Sequence, residues 1–176
     1  MTPIAEATIQ AAILSAISNI VAQTLKSYNG AKPYVYDFTP LMHFVLFALI
    51  ATPPNFLWQQ QMEAWFPSQV PVVDAKSEKT DMKFSKSNTV KKFLTDQLLG
   101  GPVNTVLFLA AMGYFRGLTG GALLVYIQEE FWPLTLAGLK LWPTVSLISF
   151  SAVPAERRIV FGSLVALGWN VYLGLR

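Results

Sequence analysis

The chain has 176 residues, of which 53% are apolar and only 13% charged, with a formal charge of +3 and a mean hydropathy of +0.42. A soluble domain carries about a quarter of its residues charged, so the composition argues against an ordinary water-soluble globule and predicts an integral membrane protein. The small positive charge gathers into no basic face with interleaved aromatics, which argues against nucleic-acid binding. The absence of cysteine rules out disulfides, thiolate metal sites and a cysteine nucleophile.

The first residues, MTPIAEATIQ, show neither the basic n-region of a secretory signal nor the Arg-rich face of a transit peptide, so any organelle targeting is expected to be internal. Ala7 to Leu25 is uncharged for 19 residues, about the length a bilayer-spanning helix needs. Its interspersed Ala, Ser, Thr, Asn and Gln, with Ala12, Ala16 and Asn19 or Ile20 near small-xxx-small spacing, predict a helix packed within a bundle. The polar tract Lys26 to Pro33 ends it. Phe38 to Met62 is a second uncharged stretch, interrupted by Thr52-Pro53-Pro54-Asn55 and finished by Trp58 and Trp65, and reads as a span kinked at its prolines. His43, the single histidine, lies inside it. With no second His and no paired carboxylates nearby, no metal site, cofactor site or catalytic constellation is expected.

Residues 67–92 hold six of the thirteen basic residues and read as an exposed polar loop within an otherwise single transmembrane domain, 1–176. Gln97 to Phe115 is a third uncharged run headed by Asp96, with Gly100-Gly101-Pro102 loosening its first half. Gly113, Gly117 and Gly121 recur at four-residue spacing, although Arg116 and Thr119-Gly120-Gly121 predict a turn there. From Phe131 to Ala155 two Trp-Pro pairs (Trp132-Pro133, Trp142-Pro143) and Lys140 break an apolar run. It reads as one long broken helix or two shorter pieces, with aromatic rings and cations at a membrane boundary. Ile159 to Leu175 is the last span. Its stripe Gly162, Ala166, Asn170, Gly174 is expected to pack against a neighbour, and Trp169 marks the boundary.

The fold expected is an all-α polytopic membrane bundle of four to five transmembrane helices, some kinked at proline. With Lys140 left out, inside a span, five spans place eight Lys/Arg on the side of the N-terminus and the long loop against four opposite. Four spans give seven against six, so either count puts that loop on the positive, non-translocated side.

These residues resemble the peroxisomal membrane protein 2 / Mpv-type family of small organelle membrane proteins. The resemblance is carried by Lys140-Leu141-Trp142-Pro143, Ser149-Phe150, Val153-Pro154, Arg158-Ile159 and Trp169-Asn170-Val171-Tyr172-Leu173 in order. Upstream it continues in Lys92 with Asp96-Gln97, in Pro54 to Trp58 with Phe66-Pro67, and in Asp37-Phe38. Two positions depart: the family's Gly-Asp near the end of the first span is Ser18-Asn19 here, with Gln23 kept, and its Asn-Phe is Ser149-Phe150. The resemblance implies a protein integral to a peroxisomal or inner mitochondrial membrane, a channel-like role for small solutes, and no enzymatic activity or cofactor.

Ionisable groups at membrane depth are functional candidates because each is costly unless paired or wet. A wet pathway is expected from Asn19, Gln23, Asp96, Gln97, Asn104, Lys140 and Arg158. A competing reading makes Lys140 and Arg158 interface anchors and gives Asp96 an internal ion pair. Trp142, Pro143, Phe150, Pro154 and Trp169 are expected to be structural. Two functions stay open: a small-solute channel, whose helices would assemble as a homo-oligomer or leave a narrow path in one subunit, and a non-conducting scaffold that recruits partners. Both place the chain in a lipid bilayer.

Overall fold

A computed structural model describes residues 1–30, 35–73 and 80–174. The first helix, α1 (Pro3–Asn29), opens with a proline in its first turn, where the missing N–H has no intrahelical partner to lose, and ends at Gly30. It packs against α2 and α7. Its buried side is made of short side chains: Ala7, Ala11, Ser18 and Ala22. Of the predicted stripe Asn19 is buried as well, whereas Ala12 and Ala16 are half-buried. The small side chains let backbones approach, and the Ser18 hydroxyl donates to the Leu167 carbonyl of α7 at 3.0 Å.

Helix α2 (Phe38–Trp65) is capped by Asp37, whose carboxylate accepts from Thr39 N–H at 2.9 Å. It runs as one continuous helix through Pro53 and Pro54. His43 is half-buried and stacks on Phe115 with ring centroids 5.2 Å apart.

Residues 67–92 differ from the exposed polar loop that their composition predicts. Strands β1 (Gln69–Val73) and β2 (Thr80–Phe84) pair antiparallel, with Val70 opposite Lys83 and Pro71 opposite Met82. Ser85 then caps α3 (Lys86–Thr95), its hydroxyl accepting from Asn88 N–H at 3.2 Å. Helix α3 flows through one π-helical turn, Asp96–Gly100, into α4 (Gly101–Phe115). The loosening expected at Gly100-Gly101-Pro102 is this turn, where the absence of a Gly100 side chain matters. A Cβ there would stand 2.8 Å from Asp96 Oδ1 and 3.0 Å from Trp58 Nε1.

Helix α4 ends in a tight turn that uses two left-handed glycines, Gly117 (φ 86°) and Gly120 (φ 54°). Helix α5 (Gly120–Gly138) packs back on α4. Gly113 makes that approach possible: a Cβ would meet Leu123 Cδ1 at 2.5 Å and Tyr126 Cδ1 at 2.9 Å. Helix α6 (Trp142–Ala152) follows with a 57° bend. Pro143 sits in its first turn, where no intrahelical N–H bond is lost, so the Trp142-Pro143 pair starts a new helix. Val153-Pro154 closes α6, a 3₁₀ turn covers Ala155–Arg157, and α7 (Arg158–Gly174) completes the bundle.

Helices 3–28, 38–65 and 86–115 are each long and apolar enough to cross a membrane, and the bent pair α5–α6 makes a fourth crossing if taken as one span. Large apolar side chains on every long helix point outward: Ile13, Ile50, Leu57, Leu98, Val103, Leu124, Leu136 and Leu164 are all exposed. Water would not tolerate that surface over a whole molecule; lipid suits it. The fold is an all-α polytopic bundle with one short hairpin.

Candidate functional site

The bundle forms a half-open cavity of about 420 Å³, with walls supplied by α1, α2, the π turn, α4, α5, α6 and α7. Its lining is mixed. Phe44, Phe47, Phe108 and Phe150 give apolar walls, while Thr52, Asn55, Gln59, Asp96, Gln97, Asn104, Thr135, Ser146, Ser149 and Arg158 bring polar groups to the same space. Such a concentration of hydrogen-bonding groups among apolar helices needs internal partners or water.

Some of those partners are explicit. Asn55 and Asn104 exchange a reciprocal amide pair, Nδ2 to Oδ1 at 2.8 Å and 2.9 Å, joining α2 to α4. Asn104 also donates to the Gly100 carbonyl at 3.1 Å. Asp96 accepts from Trp58 Nε1 at 3.1 Å on Oδ1 and from the Ser146 hydroxyl at 2.8 Å on Oδ2, tying α2 and α6 to the π turn. Gln59 Oε1 and Thr135 Oγ1 are buried without a hydrogen-bond partner, and both residues line the cavity.

An ionic cluster adjoins the cavity and reaches its wall through Arg158. Lys92, fully buried, and Arg158, 4% exposed, converge on Glu63 Oε2 at 2.8 Å and 2.9 Å. Ser68 holds the same carboxylate with its main-chain N–H (2.6 Å to Oε1) and its hydroxyl (3.0 Å to Oε2), and its hydroxyl oxygen also accepts from Lys92. Arg158 Nε–H is shared between the Ser149 and Val153 carbonyls, at 3.3 Å and 3.1 Å. Both cations stand over the Phe150 ring, with Arg158 Cζ 5.1 Å and Lys92 Nζ 5.6 Å from its centroid. Phe150 itself is buried, and the α6–α7 turn at Val153-Pro154 delivers Arg158 to this point.

Of the predicted pathway residues, the structure brings Asp96, Gln97, Asn104 and Arg158 to the one cavity. Asn19, Gln23 and Lys140 lie outside its lining. Asn19 is buried and its side-chain oxygen accepts from Gln23 at 2.7 Å. Gln23 in turn grips the main chain of Asp37 in both directions, donating to its carbonyl at 2.7 Å and accepting from its N–H at 2.9 Å, and so fixes the start of α2. Lys140 is exposed at the bend between α5 and α6. Arg158 is buried in an ion pair, not an interface anchor, and Asp96 is held by neutral donors, with Lys92 paired to Glu63 instead. Trp142, Phe150 and Trp169 are wall residues of the cavity, Trp142 and Trp169 meeting edge to face at 6.2 Å. Pro143 and Pro154 start and end α6.

The sequence reading misses Glu63, Asn55, Gln59 and Thr135. Glu63 had a legible signal, being the one acidic residue of a 28-residue apolar helix. The uncharged stretch Phe38 to Met62 ends one residue before it. Among the described residues no group of three or more His, Asp or Glu side chains is placed to hold a metal ion.

Gly162, Ala166 and Asn170 of the expected stripe line the cavity, and a Cβ on Gly162 would touch nothing within 4 Å. The side of α7 that touches α1 includes Leu167, whose carbonyl receives Ser18.

Comparison with known proteins finds one family to which the C-terminal part of the chain is similar. Residues 113–174, from the end of α4 through α7, match the Mpv17 / PMP22 family. Peroxisomal membrane protein 2 of Bos taurus is 27% identical over 164 residues, covering 92% of this chain and 76% of its own length. Protein sym1 of Schizosaccharomyces pombe is 26% identical over 188 residues, covering 99% of this chain and 84% of its own. PXMP2/4 family protein 3 of Dictyostelium discoideum is 27% identical over 173 residues, covering 98% and 83%. No solved structure matches. The matched C-terminal helices and the near full-length similarities make this membrane protein similar to the Mpv17 / PMP22 family and to its peroxisomal and Sym1-type relatives.

Proposed function

We propose that the protein passes small polar solutes across an organelle membrane, through the cavity at the centre of its own bundle. The observation that carries this reading is the set of hydrogen-bonding side chains on the otherwise largely apolar wall of a 420 Å³ space between membrane-type helices. Buried hydrogen-bonding groups are expensive in lipid unless they serve a wet path. Gln59 Oε1 and Thr135 Oγ1, on residues of the same wall, are buried without a hydrogen-bond partner. The cavity lies within a single chain, so a narrow path needs no second copy. The name of the bovine relative supports a peroxisomal membrane, and the family resemblance leaves the mitochondrial inner membrane as the other site.

The test is release of trapped glycerol and larger polyols from vesicles containing the purified chain. Size-dependent release that Asn104→Leu reduces supports the passage. Tight vesicles holding correctly folded protein refute it. One observation favours a scaffold in that case: Met82 and Phe84, two residues apart on β2, expose apolar side chains on one face of the hairpin. Recruitment of a partner would then be lost on replacing both with Ser.

A further inference from the structure

The hairpin between α2 and α3 has two unlike faces. Side chains alternate along a strand, and directly paired residues share a face. The register therefore puts Gln69, Pro71, Met82 and Phe84 on one face, and Val70, Val72, Asp81 and Lys83 on the other. Both charged residues of the strands lie on the second face. The uncharged face is nevertheless open: Gln69 and Pro71 are exposed, and Met82 and Phe84 are 57% and 47% exposed. The root of the hairpin is pinned where two spans emerge. Ser85 N–H donates to the Ser68 carbonyl and Asn88 Nδ2 to the Pro67 carbonyl, both at 2.9 Å, while Ser68 holds Glu63 in the last turn of α2. Helix α3 sets the depth. Val90, Leu94 and Leu98, four apart and exposed, begin the lipid-facing surface of the 86–115 span. Ser85 caps the helix five residues before Val90, about 7.5 Å along its axis. A headgroup layer is about 5–7 Å deep. Exposed Lys86 and Lys91 flank the same apolar stripe at that level and make no salt bridge among the described residues.

We infer that the hairpin lies on an anionic phospholipid leaflet, its uncharged face seated among the headgroups and Lys86 and Lys91 contacting the phosphates. An isolated two-stranded hairpin is marginal in water and needs a surface against one face. The headgroup–acyl boundary is such a surface, and Met82 and Phe84 lose water by entering it. The same layer still offers water to the two unpaired strand edges, which the hydrocarbon core would leave unsatisfied. Asp81 and Lys83, on the opposite face, stay hydrated. Charge selects the lipid, because two free lysines on one side of α3 complement anionic headgroups. This surface is separate from the cavity, and the inference holds whether or not the protein passes solutes.

The chain has no cysteine, so Met82→Cys, Lys83→Cys and Phe84→Cys can each carry a single bimane label. The labelled full chains, checked for native helix content, are placed in nanodiscs of phosphatidylcholine and phosphatidylglycerol, which leave both leaflets open to solution. Acrylamide in the water should quench the Lys83 label and spare the Met82 and Phe84 labels. A nitroxide high on a lipid acyl chain should do the reverse. Carried on phosphatidylglycerol, that nitroxide should quench the Met82 label more than on phosphatidylcholine, with a local preference of about fivefold for each lysine. Lys86→Gln combined with Lys91→Gln should remove the preference. Equal acrylamide quenching at all three positions overturns the inference. If all are quenched, the face stands in water and is open to a protein partner; if all are shielded, the hairpin is embedded whole. Equal quenching by the two nitroxide lipids overturns it as well, because charge then selects nothing.

Discussion

Glu63 Oε2 receives Lys92, Ser68 and Arg158 at once, so two buried cations depend on one partly exposed carboxylate. Removing one partner of a buried ion pair strands the other charge, at a cost of about 3–5 kcal/mol, and the exposure of Glu63 points to the lower end of that range. Glu63→Gln should therefore destabilise the protein by about 3 kcal/mol in a detergent unfolding titration. Lys92→Met leaves Arg158 with the carboxylate to itself and should cost less, about 1 kcal/mol; equal losses from the two variants would show that the charges are not coupled as drawn. The Asn55–Asn104 pair makes a cleaner measurement because each amide has one reciprocal partner across the helices. A double-mutant cycle with Ala at both positions should return a coupling of about 0.6–1.7 kcal/mol. A value near zero would mean water replaces the pair. At this scale the sequence revealed polar residues but not their partners. Asp96 and Arg158 stand out because each is a charge bordering a long apolar run, whereas Asn55 looks like a residue of a Pro-Pro interruption. Only the packing of α2 on α4 makes it one half of a bond.

Among the elements, the four long apolar runs were readable because hydrocarbon thickness imposes a minimum length that composition alone displays. The hairpin was not. Its strands are five residues each, Pro71 interrupts one, and β2 is TDMKF, so no alternation stands out from the charged tract around it. Helix seams were only partly legible, because a stripe of small residues fits equally a close neighbour and a cavity wall. Gly162 faces open space, whereas Gly113 is pressed by Leu123 and Tyr126. That contrast is testable. Gly113→Ala places a methyl group where Leu123 Cδ1 and the Tyr126 ring already stand, and should cost about 1–3 kcal/mol by overpacking. Leu123→Ala added to it should recover part of the loss, because the flexible Leu tip is the nearer obstacle. Gly162→Ala should be neutral to within about 0.5 kcal/mol. If the two alanine variants melt alike, α5 does not approach α4 as closely as described.

The path of the whole chain through the membrane follows from two constraints. Residues 86–115 form one span of 30 residues, about 45 Å at 1.5 Å per residue, so the hairpin and the 116–120 turn lie on opposite sides. The 2.9 Å contact between Glu63 and Arg158 then sets the α6–α7 junction beside the end of α2, on the hairpin side. Helices α5 and α6 begin on one side and finish on the other, and the bent pair must cross as a single broken span instead of re-entering. Helix α7, starting from the hairpin side with 17 residues, supplies a fifth crossing if it runs through. The lack of native cysteine allows a direct test with single introduced cysteines and a membrane-impermeant maleimide on oriented vesicles. Ser87→Cys and Glu156→Cys, both at exposed positions, should label from the same side, and Thr119→Cys and Tyr28→Cys from the other. Labelling of Glu156→Cys together with Thr119→Cys would turn α5–α6 into a re-entrant hairpin. The Glu63–Arg158 pair could not then form across the bilayer, and the ionic cluster beside the cavity would disappear with it.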